Sequence, residues 1–294
     1  MTYKRTRGEI VFDVFNNLFM LFIVVIMLFP FVNQFALSFS DNTAVLAGRV
    51  SLIPVNFTLE AYYHSFADPR FLLSLRNSVF VTVVSVLLSV SATAVFAYPL
   101  SMPQFKGRRI IMTILIFSML FGTGGLIPEF LNMRRFGLID TYWALWLPGM
   151  INIWNLIIMK SFLQRMPEGL IESAEIDGAS HIRTFLQIVV PLAKAPLATI
   201  SLFVAVGSWN SFFAPLVYIN SSDRLLLAVY LREVVTGIAA PTGPAADRIF
   251  FAEPVSPFSI RAATLMASTI PIVMVYPFLQ KYFVKGMLIG AIKG

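Results

Sequence analysis

The chain alternates between long apolar stretches and short polar connections. The apolar runs are about 20 residues long, enough for a helix to cross the hydrocarbon core of a bilayer, and they lack the strict alternation of barrel strands. In lipid only helices and closed barrels satisfy every backbone polar group, so these runs predict membrane-spanning helices. We predict six spans, at residues 12–38, 72–100, 109–131, 141–164, 195–219 and 262–284. The pattern therefore predicts an all-α, polytopic membrane protein.

Composition supports this fold class. The 294 residues are 57% hydrophobic and 13% charged, with a mean hydropathy of +0.79. A soluble domain would carry about 25% charged residues. We expect a single transmembrane domain over residues 1–294.

The basic residues are distributed unevenly between the two predicted sides. Six spans place both termini and the connections 101–108 and 165–194 on the same side. That side has thirteen basic and six acidic residues, including all seven lysines, whereas the other side has nine of each. Since lysine and arginine accumulate on the cytoplasmic side, we predict that both termini are cytoplasmic. The first apolar stretch is far longer than the core of a signal peptide, which predicts an uncleaved first span.

Few residues suggest chemistry. The chain has no cysteine, and its two histidines, His64 and His181, are too far apart to form a spaced ligand pair. No phosphate-binding loop of the form G-x-x-x-x-G-K-[ST] is present. The net charge of +7 comes from residues that flank apolar segments, which argues against a nucleic-acid partner. We expect no catalytic site and no metal site, so energy for any active work would come from another protein.

The two connections on the opposite side, residues 39–71 and 220–261, are long. Loops longer than about 15 residues are usually functional or disordered. These loops are interpreted either as docking loops for an external partner or as plain connectors.

A polar island interrupts the apolar pattern between Pro167 and Pro191. Its four acidic residues lie within ten positions, at Glu168, Glu172, Glu175 and Asp177. A glycine after the acidic stretch, Gly178, is typical of a helix stop, and Ser180 is a good N-cap for a following helix. The island is therefore predicted to form two short helices at the cytoplasmic surface. On these residues alone it is either an ordinary amphipathic helix pair or a surface for another protein.

The island also resembles a known signature. Its order of Glu172, Ala174, Gly178, Ile188 and Pro191 resembles the EAA loop of ABC importer permeases, written E-A-A, three residues, G, nine residues, I, x, L, P. Ser173 and Val190 depart from that pattern. Further segments resemble the carbohydrate-uptake branch, typified by the maltose importer: Arg76-Asn77-Ser78, Trp209-Asn210-Ser211-Phe212 and residues 280–294.

The resemblance implies the type I ABC importer permease fold and a bacterial inner-membrane location. It implies that residues 167–191 form a coupling loop that docks on a cytoplasmic ATP-binding subunit. The residues carried over to that contact are Glu172, Ala174, Asp177, Gly178 and Ala179. A second implied contact is the C-terminal tail, residues 285–294, which is otherwise a solvated basic tail. Its candidate residues are Lys285, Gly286, Gly290 and Lys293.

The implied partners are two cytoplasmic ABC ATPase subunits, a second permease and an extracytoplasmic solute-binding protein. ATP and Mg²⁺ would be bound by the ATPase subunits, so no cofactor is expected in this chain.

The cargo implied by the resemblance is a sugar, such as an oligosaccharide or a polysaccharide like alginate. Aromatic faces suit sugar rings, and amides can pair with hydroxyls, although helix packing is the more ready explanation for any single one of the candidate residues. The candidate path residues are Asn152, Trp154, Asn155, Trp209, Asn210 and Phe212. The same machinery importing a peptide, polyol or glycerol phosphate remains an alternative. A secondary transporter or a membrane-embedded enzyme is a remote alternative, because the spans have neither a clear mid-membrane carboxylate nor a catalytic cluster.

Overall fold

The computed structural model describes residues 6–121, 124–236 and 256–291, and these residues are predominantly helical. Within those ranges the one β-type pairing is an isolated bridge between Ser40 and Phe57. The chain divides into two compact units. Unit 1 comprises Met1–Phe71 and Glu233–Ile270, and unit 2 comprises Leu72–Arg232 and Pro271–Gly294.

The helices follow the chain in this order. The first six are α1 (Arg7–Ser38), α2 (Asn42–Leu46), α3 (Glu60–Ala67), α4 (Pro69–Ser101), α5 (Arg108–Phe121) and α6 (Leu126–Arg135). Next come α7 (Trp143–Trp146), α8 (Ile153–Leu163), α9 (Glu168–Ile176), α10 (His181–Thr184), a π-helical turn (Phe185–Val189) and α11 (Val190–Leu192). The last are α12 (Lys194–Trp209), α13 (Phe213–Tyr218), a 3₁₀ turn (Ser222–Arg224), α14 (Leu227–Thr236) and α15 (Pro257–Ala291).

The prediction of a polytopic helical membrane protein is confirmed, but three of the six spans are not single helices. Among the described residues, three helices are long and apolar enough to cross a membrane, and five if each of two bent helix pairs counts as one span. The three continuous helices are α1, α4 and α15 up to Met274. The remaining apolar helix, α8, has only eleven residues.

The interruptions have local causes. The predicted span 141–164 is broken between α7 and α8, where Pro148 and Gly149 stand in a run that is otherwise apolar. The predicted span 109–131 is divided between α5 and α6, and Gly124 and Gly125 there have φ angles of +80° and +96°, which a helix cannot accommodate. The predicted span 195–219 is divided between α12 and α13. An apolar run therefore predicted an apolar helical segment correctly but not helix continuity.

Unit 1 contains α1, the least buried of the three described helices that are long and apolar enough to cross a membrane. A capping box begins α1: the Thr6 hydroxyl accepts a hydrogen bond from the Glu9 backbone, and the Glu9 carboxylate accepts one from the Thr6 backbone at 2.8 Å. None of the most apolar 18-residue window of α1 is buried within the chain. Elsewhere in unit 1, α3 packs closely on residues 260–264 through Ala61 and Ala263, and the Ser65 and Thr264 hydroxyls are 3.0 Å apart. Small residues of this kind let membrane helices approach each other.

Unit 2 has a core that joins four elements. Buried side chains from α4, α8, the π-helical turn and α12 meet there, including Ala97, Leu156, Met159, Val189 and Ile200. This core supports both features described next, a surface segment and a cavity.

Candidate functional site

The polar island folds as two short helices around a glycine, as predicted. Gly178 has a φ angle of +75°. The Ala179 backbone N–H donates to the Ala174 carbonyl at 2.9 Å, which closes the end of α9 in a Schellman motif. Ser180 then caps α10, because its hydroxyl accepts a hydrogen bond from the Arg183 backbone at 3.4 Å.

The predicted docking residues do not share one environment. Glu172, Asp177 and Gly178 are exposed, and Ala179 is half-buried. Ala174 is only 6% exposed, so its methyl group packs within the chain. The docking role of these five residues remains a prediction.

Two large apolar side chains beside them were missed by the sequence reasoning. Ile176 is 86% exposed and Ile182 is 73% exposed. Their positions near the end of α9 and the start of α10 place apolar surface next to carboxylates. Exposed apolar patches with a polar rim mark sites of protein or membrane contact.

The segment after α10 anchors this surface to the core of unit 2. Phe185–Val189 forms a π-helical turn, and the chain bends by 78° between His181–Leu192 and α12. Val189 is 2% exposed within the core, and the Phe185 ring lies 5.2 Å from the ring of Tyr98 on α4. A displacement of α9 and α10 would therefore be transmitted to α4 and α12 through packed side chains.

Unit 2 also contains an open-sided cavity of about 580 Å³. That volume lies in the range of about 300–1,000 Å³ typical of small-molecule sites. The wall comes from α4, α7, α8, α12 and α13, from the segments that follow α7 and α12, and from Leu226 just before α14. Its polar members are Ser85, Ser89, Asn152, Asn155, Ser208 and Ser211, and its aromatic members are Trp146, Trp154 and Phe203.

The cavity brings together half of the predicted path residues. Asn152, Trp154 and Asn155 line it. Trp209, Asn210 and Phe212 are not among the wall residues. The Asn210 side-chain amide donates to the Val206 carbonyl at 3.0 Å, and the Phe212 ring lies 5.8 Å from the Arg232 guanidinium carbon. A transport role for each of these six residues is still a prediction.

Several hydrogen bonds fix the cavity wall. Asn152 is the N-cap of α8, since its side-chain oxygen accepts from the Asn155 backbone at 3.1 Å. The Trp146 indole N–H donates to the Val81 carbonyl at 3.2 Å. The Ser208 hydroxyl lies 3.1 Å from that of Ser85. Among the wall serines, Ser85, Ser89 and Ser208 were not identified by sequence reasoning, because small hydroxyl residues in an apolar run also suit helix packing.

A second polar cluster holds the segment that follows α13. The Asp140 carboxylate accepts hydrogen bonds from the backbones of Asn220 and Ser221, both at 2.9 Å, and from the Ser221 hydroxyl. The Arg224 guanidinium lies 3.7 Å from the same carboxylate. We call Asp140, Asn220, Ser221 and Arg224 the Asp140 clamp.

The segment Arg76-Asn77-Ser78 on α4 has a related structural role. The Asn77 side chain donates to the carbonyls of Asp223 and Leu225, at 2.9 and 3.1 Å. The Ser78 hydroxyl accepts from the Leu227 backbone at 2.8 Å. These residues fix the start of the long connection that leads to α15.

We expect the Asp140 clamp to weaken only in strong acid. The Ser221 hydroxyl, followed by the Ser221 and Asn220 backbone amides, holds the pKa of Asp140 at about 2, below its ordinary value of 3.8. Because the folded pKa is lower than the unfolded one, the stabilisation is complete above about pH 4 and is lost as the pH falls through about 2. Melting temperatures of wild type and Asp140→Asn should therefore differ at neutral pH and converge in acid. A difference independent of pH would contradict this role of the charge.

Among the described residues, no group of three or more His, Cys, Asp or Glu side chains could hold a metal ion. The described geometry thus consists of an exposed segment, a cavity of neutral polar and aromatic side chains, and a clamped connection.

Comparison with known proteins identifies the family. Residues 9–289 match the model of the family described as "binding-protein-dependent transport system inner membrane component". Protein LplC of Bacillus subtilis (strain 168) is 44% identical over 293 residues, which cover 100% of this chain and 98% of LplC. The polygalacturonan/rhamnogalacturonan transport system permease protein YtcP of the same organism is 40% identical over 283 residues, which cover 96% of this chain and 98% of YtcP.

A solved structure agrees in fold. The fold matches a chain in the crystal structure of a bacterial ABC transporter involved in the import of the acidic polysaccharide alginate, with a TM-score of 0.89. The two sequences are 32% identical, and the match covers 96% of this chain and 100% of that chain. The resemblance to ABC importer permeases is thus confirmed in both sequence and fold. The chain belongs to the family of inner-membrane components of binding-protein-dependent transport systems.

Proposed function

We propose that this chain is the permease subunit of an ATP-driven importer that carries an oligosaccharide or polysaccharide fragment across the bacterial inner membrane. The observation that carries this proposal is the cavity in unit 2, whose wall combines tryptophan faces with serine hydroxyls and asparagine amides. Aromatic faces suit the apolar faces of sugar rings, and the polar groups suit sugar hydroxyls. Relatives named for polygalacturonan/rhamnogalacturonan transport and for alginate import support the same cargo class.

ATP hydrolysis would be supplied by partner subunits. In this proposal the surface formed by α9 and α10 docks on a cytoplasmic ATPase, with Glu172 and Asp177 meeting basic groups and Ile176 and Ile182 covered by the partner. These four side chains are exposed in the chain by itself, as a docking surface requires. The termini would then lie in the cytoplasm.

The rest of the assembly follows from the same proposal. Two ATPases, which bind ATP and Mg²⁺, would act on this chain and a second permease, and a solute-binding protein would deliver the cargo from outside. Residues 285–294 would provide a second ATPase contact. Lys285, Gly286 and Gly290 lie in α15, whereas Lys293 lies outside the described residues.

The shared core of unit 2 supplies the mechanical link between these sites. Val189 from the π-helical turn packs with Leu156 of α8 and Ile200 of α12, and both of those helices contribute to the cavity wall. Packed interiors shift between discrete arrangements rather than deforming continuously. Closure of the ATPase pair would therefore rotate α8 and α12 together with α9 and α10, and would alternately open the cavity to each side.

We expect saccharides to stimulate the ATPase activity of the reconstituted complex and to accumulate inside proteoliposomes. The experiment uses both permeases, both ATPases and the solute-binding protein with oligogalacturonates, alginate oligosaccharides and malto-oligosaccharides. Dipeptides, polyols and glycerol phosphate serve as the comparison panel. Stimulation by a member of the comparison panel and by no saccharide would overturn the proposal.

A further inference from the structure

The cavity of unit 2 has no charged side chain among the residues that form its described wall. We infer that this cavity recognises the ring faces and hydroxyls of a saccharide and pairs with no carboxylate of an acidic cargo. The inference rests on the proposed function. The inference narrows the ligand class of the cavity to neutral pyranose surfaces. It is independent of whether the complete cargo also carries acid groups.

Ser89 provides the first observation that points to a ligand. Its side chain lines the cavity, the residue is only 2% exposed, and its hydroxyl has no hydrogen-bond partner among the described residues. Buried hydroxyls are nearly always paired, so this one calls for a partner that enters the cavity. Ser85 lies one helical turn earlier on α4 and shares the wall, where it meets Ser208 at 3.1 Å. These three hydroxyls can both donate and accept, which matches sugar hydroxyls and does not favour anions.

Two of the three aromatic wall residues, Trp146 and Phe203, offer ring faces rather than polar atoms. The Trp146 indole N–H is already bonded to the Val81 carbonyl, so the tryptophan presents its ring to the cavity. That ring is held in place by Phe80 and Trp143, at centroid distances of 5.8 and 5.4 Å. Phe203 has no polar atom to offer. A preorganised aromatic wall of this kind binds the C–H face of a pyranose ring.

An acidic cargo would find no counter-ion on this wall. A carboxylate that leaves water without a cation or several hydrogen-bond donors is strongly disfavoured. Asn152 and Asn155 are neutral amides, so neither supplies a charge to balance a carboxylate. The acid groups of a uronate cargo would therefore face water or the second permease while the ring faces contact this chain.

The test compares two probes that differ in charge and in the small methyl groups that cap the acids. These are a trisaccharide of α-1,4-linked galacturonic acid and its methyl ester, with binding to the assembled transporter in nanodiscs measured by tryptophan fluorescence without the solute-binding protein. Ser89→Ala should weaken both probes by the same factor, so that the affinity ratio is unchanged. Ser85→Asp should weaken the two probes by factors that differ by less than about tenfold, which corresponds to about 1.4 kcal/mol, because the acid groups face away from this wall. Ser85→Asn, matched in size, should leave the ratio unchanged.

The outcomes separate this inference from the proposed function. A loss in Ser89→Ala confined to the acid would overturn it, and so would unchanged binding of both probes. A loss in Ser85→Asp that is at least about tenfold larger for the acid than for the ester would also overturn it, because it would place a carboxylate of the cargo against this wall. If Ser85→Asp does not assemble, Ser208→Asp places the same charge from α12 and carries the same expectation. None of these binding results affects the proposed function if the wild-type complex still takes up saccharides with its binding protein. If the wild-type complex takes up no saccharide, the proposed function itself is wrong.

Discussion

Valine at Gly178 is expected to abolish ATP-driven transport while the protein still inserts and folds. Gly178 has a φ angle of +75°, and a β-branched residue is strained there by about 1–2 kcal/mol. No atom lies within 4 Å of the position that a Cβ would occupy, so the substitution creates no clash within the described chain. The strain acts on the turn that sets α9 against α10, and the new side chain projects from the surface that we propose docks on the ATPase. Loss of uptake in proteoliposomes, together with loss of ATPase copurification, is the expected result.

The chain provides a matched control for the strain. Gly137 has a φ angle of +67° and ends α6 in the same motif, because the Leu138 backbone N–H donates to the Met133 carbonyl at 2.9 Å. It also has no atom within 4 Å of a Cβ position. Gly137→Val should therefore retain far more transport than Gly178→Val. If both variants lose transport and ATPase binding equally, the docking role of Gly178 is wrong.

A second control separates backbone strain from bulk. Asparagine tolerates the left-handed conformation better than other residues with a Cβ. Gly178→Asn should therefore keep the turn and add only a side chain to the surface. We expect its transport to lie between wild type and Gly178→Val.

These experiments depend on the part of the molecule that the sequence predicted best. The stop at Gly178 and the cap at Ser180 follow from rules that act over four or five residues, and both are present. The environment of Ala174 could not be predicted in the same way, because its burial depends on packing with residues distant in sequence. Exposure of Ile176 was likewise hidden, since an isoleucine in an amphipathic helix is usually assigned to the buried face.

The cavity and the Asp140 clamp show why the remainder was harder to predict. Ser85 and Ser208 meet across 123 positions, and Asp140 meets Ser221 across 81. No spacing rule links such pairs in one sequence. The break at Pro148 was visible in the sequence, but the hydropathy of its neighbours suggested an unbroken span. Hydropathy indicates whether a segment lies in lipid or in water. The shape of a cavity depends instead on the positions at which the surrounding helices end.

Charge reversal at Glu172 is expected to uncouple ATP hydrolysis from saccharide uptake. Glu172 is exposed on α9 and forms no ion pair with a described residue, so its substitution should leave the fold intact. Glu172→Lys would place a positive charge against the basic groups that we propose on the docked ATPase, and like charges brought together at an interface strongly disfavour association. The measurement is the number of saccharides taken up per ATP hydrolysed in proteoliposomes.

Glu172→Gln is the matched variant, because it keeps the length and shape of the side chain and removes only the charge. We expect the number of saccharides taken up per ATP to lie between the values of wild type and Glu172→Lys. The difference between the two variants should narrow as salt is raised, because at about 1 M salt the Debye length falls to about 3 Å and more distant charges no longer interact. Equal coupling in all three proteins would mean that the contact depends on shape and not on charge. In that case the apolar side chains of Ile176 and Ile182 would carry the docking of α9 and α10, since they are the most exposed apolar side chains among the described residues of these two helices.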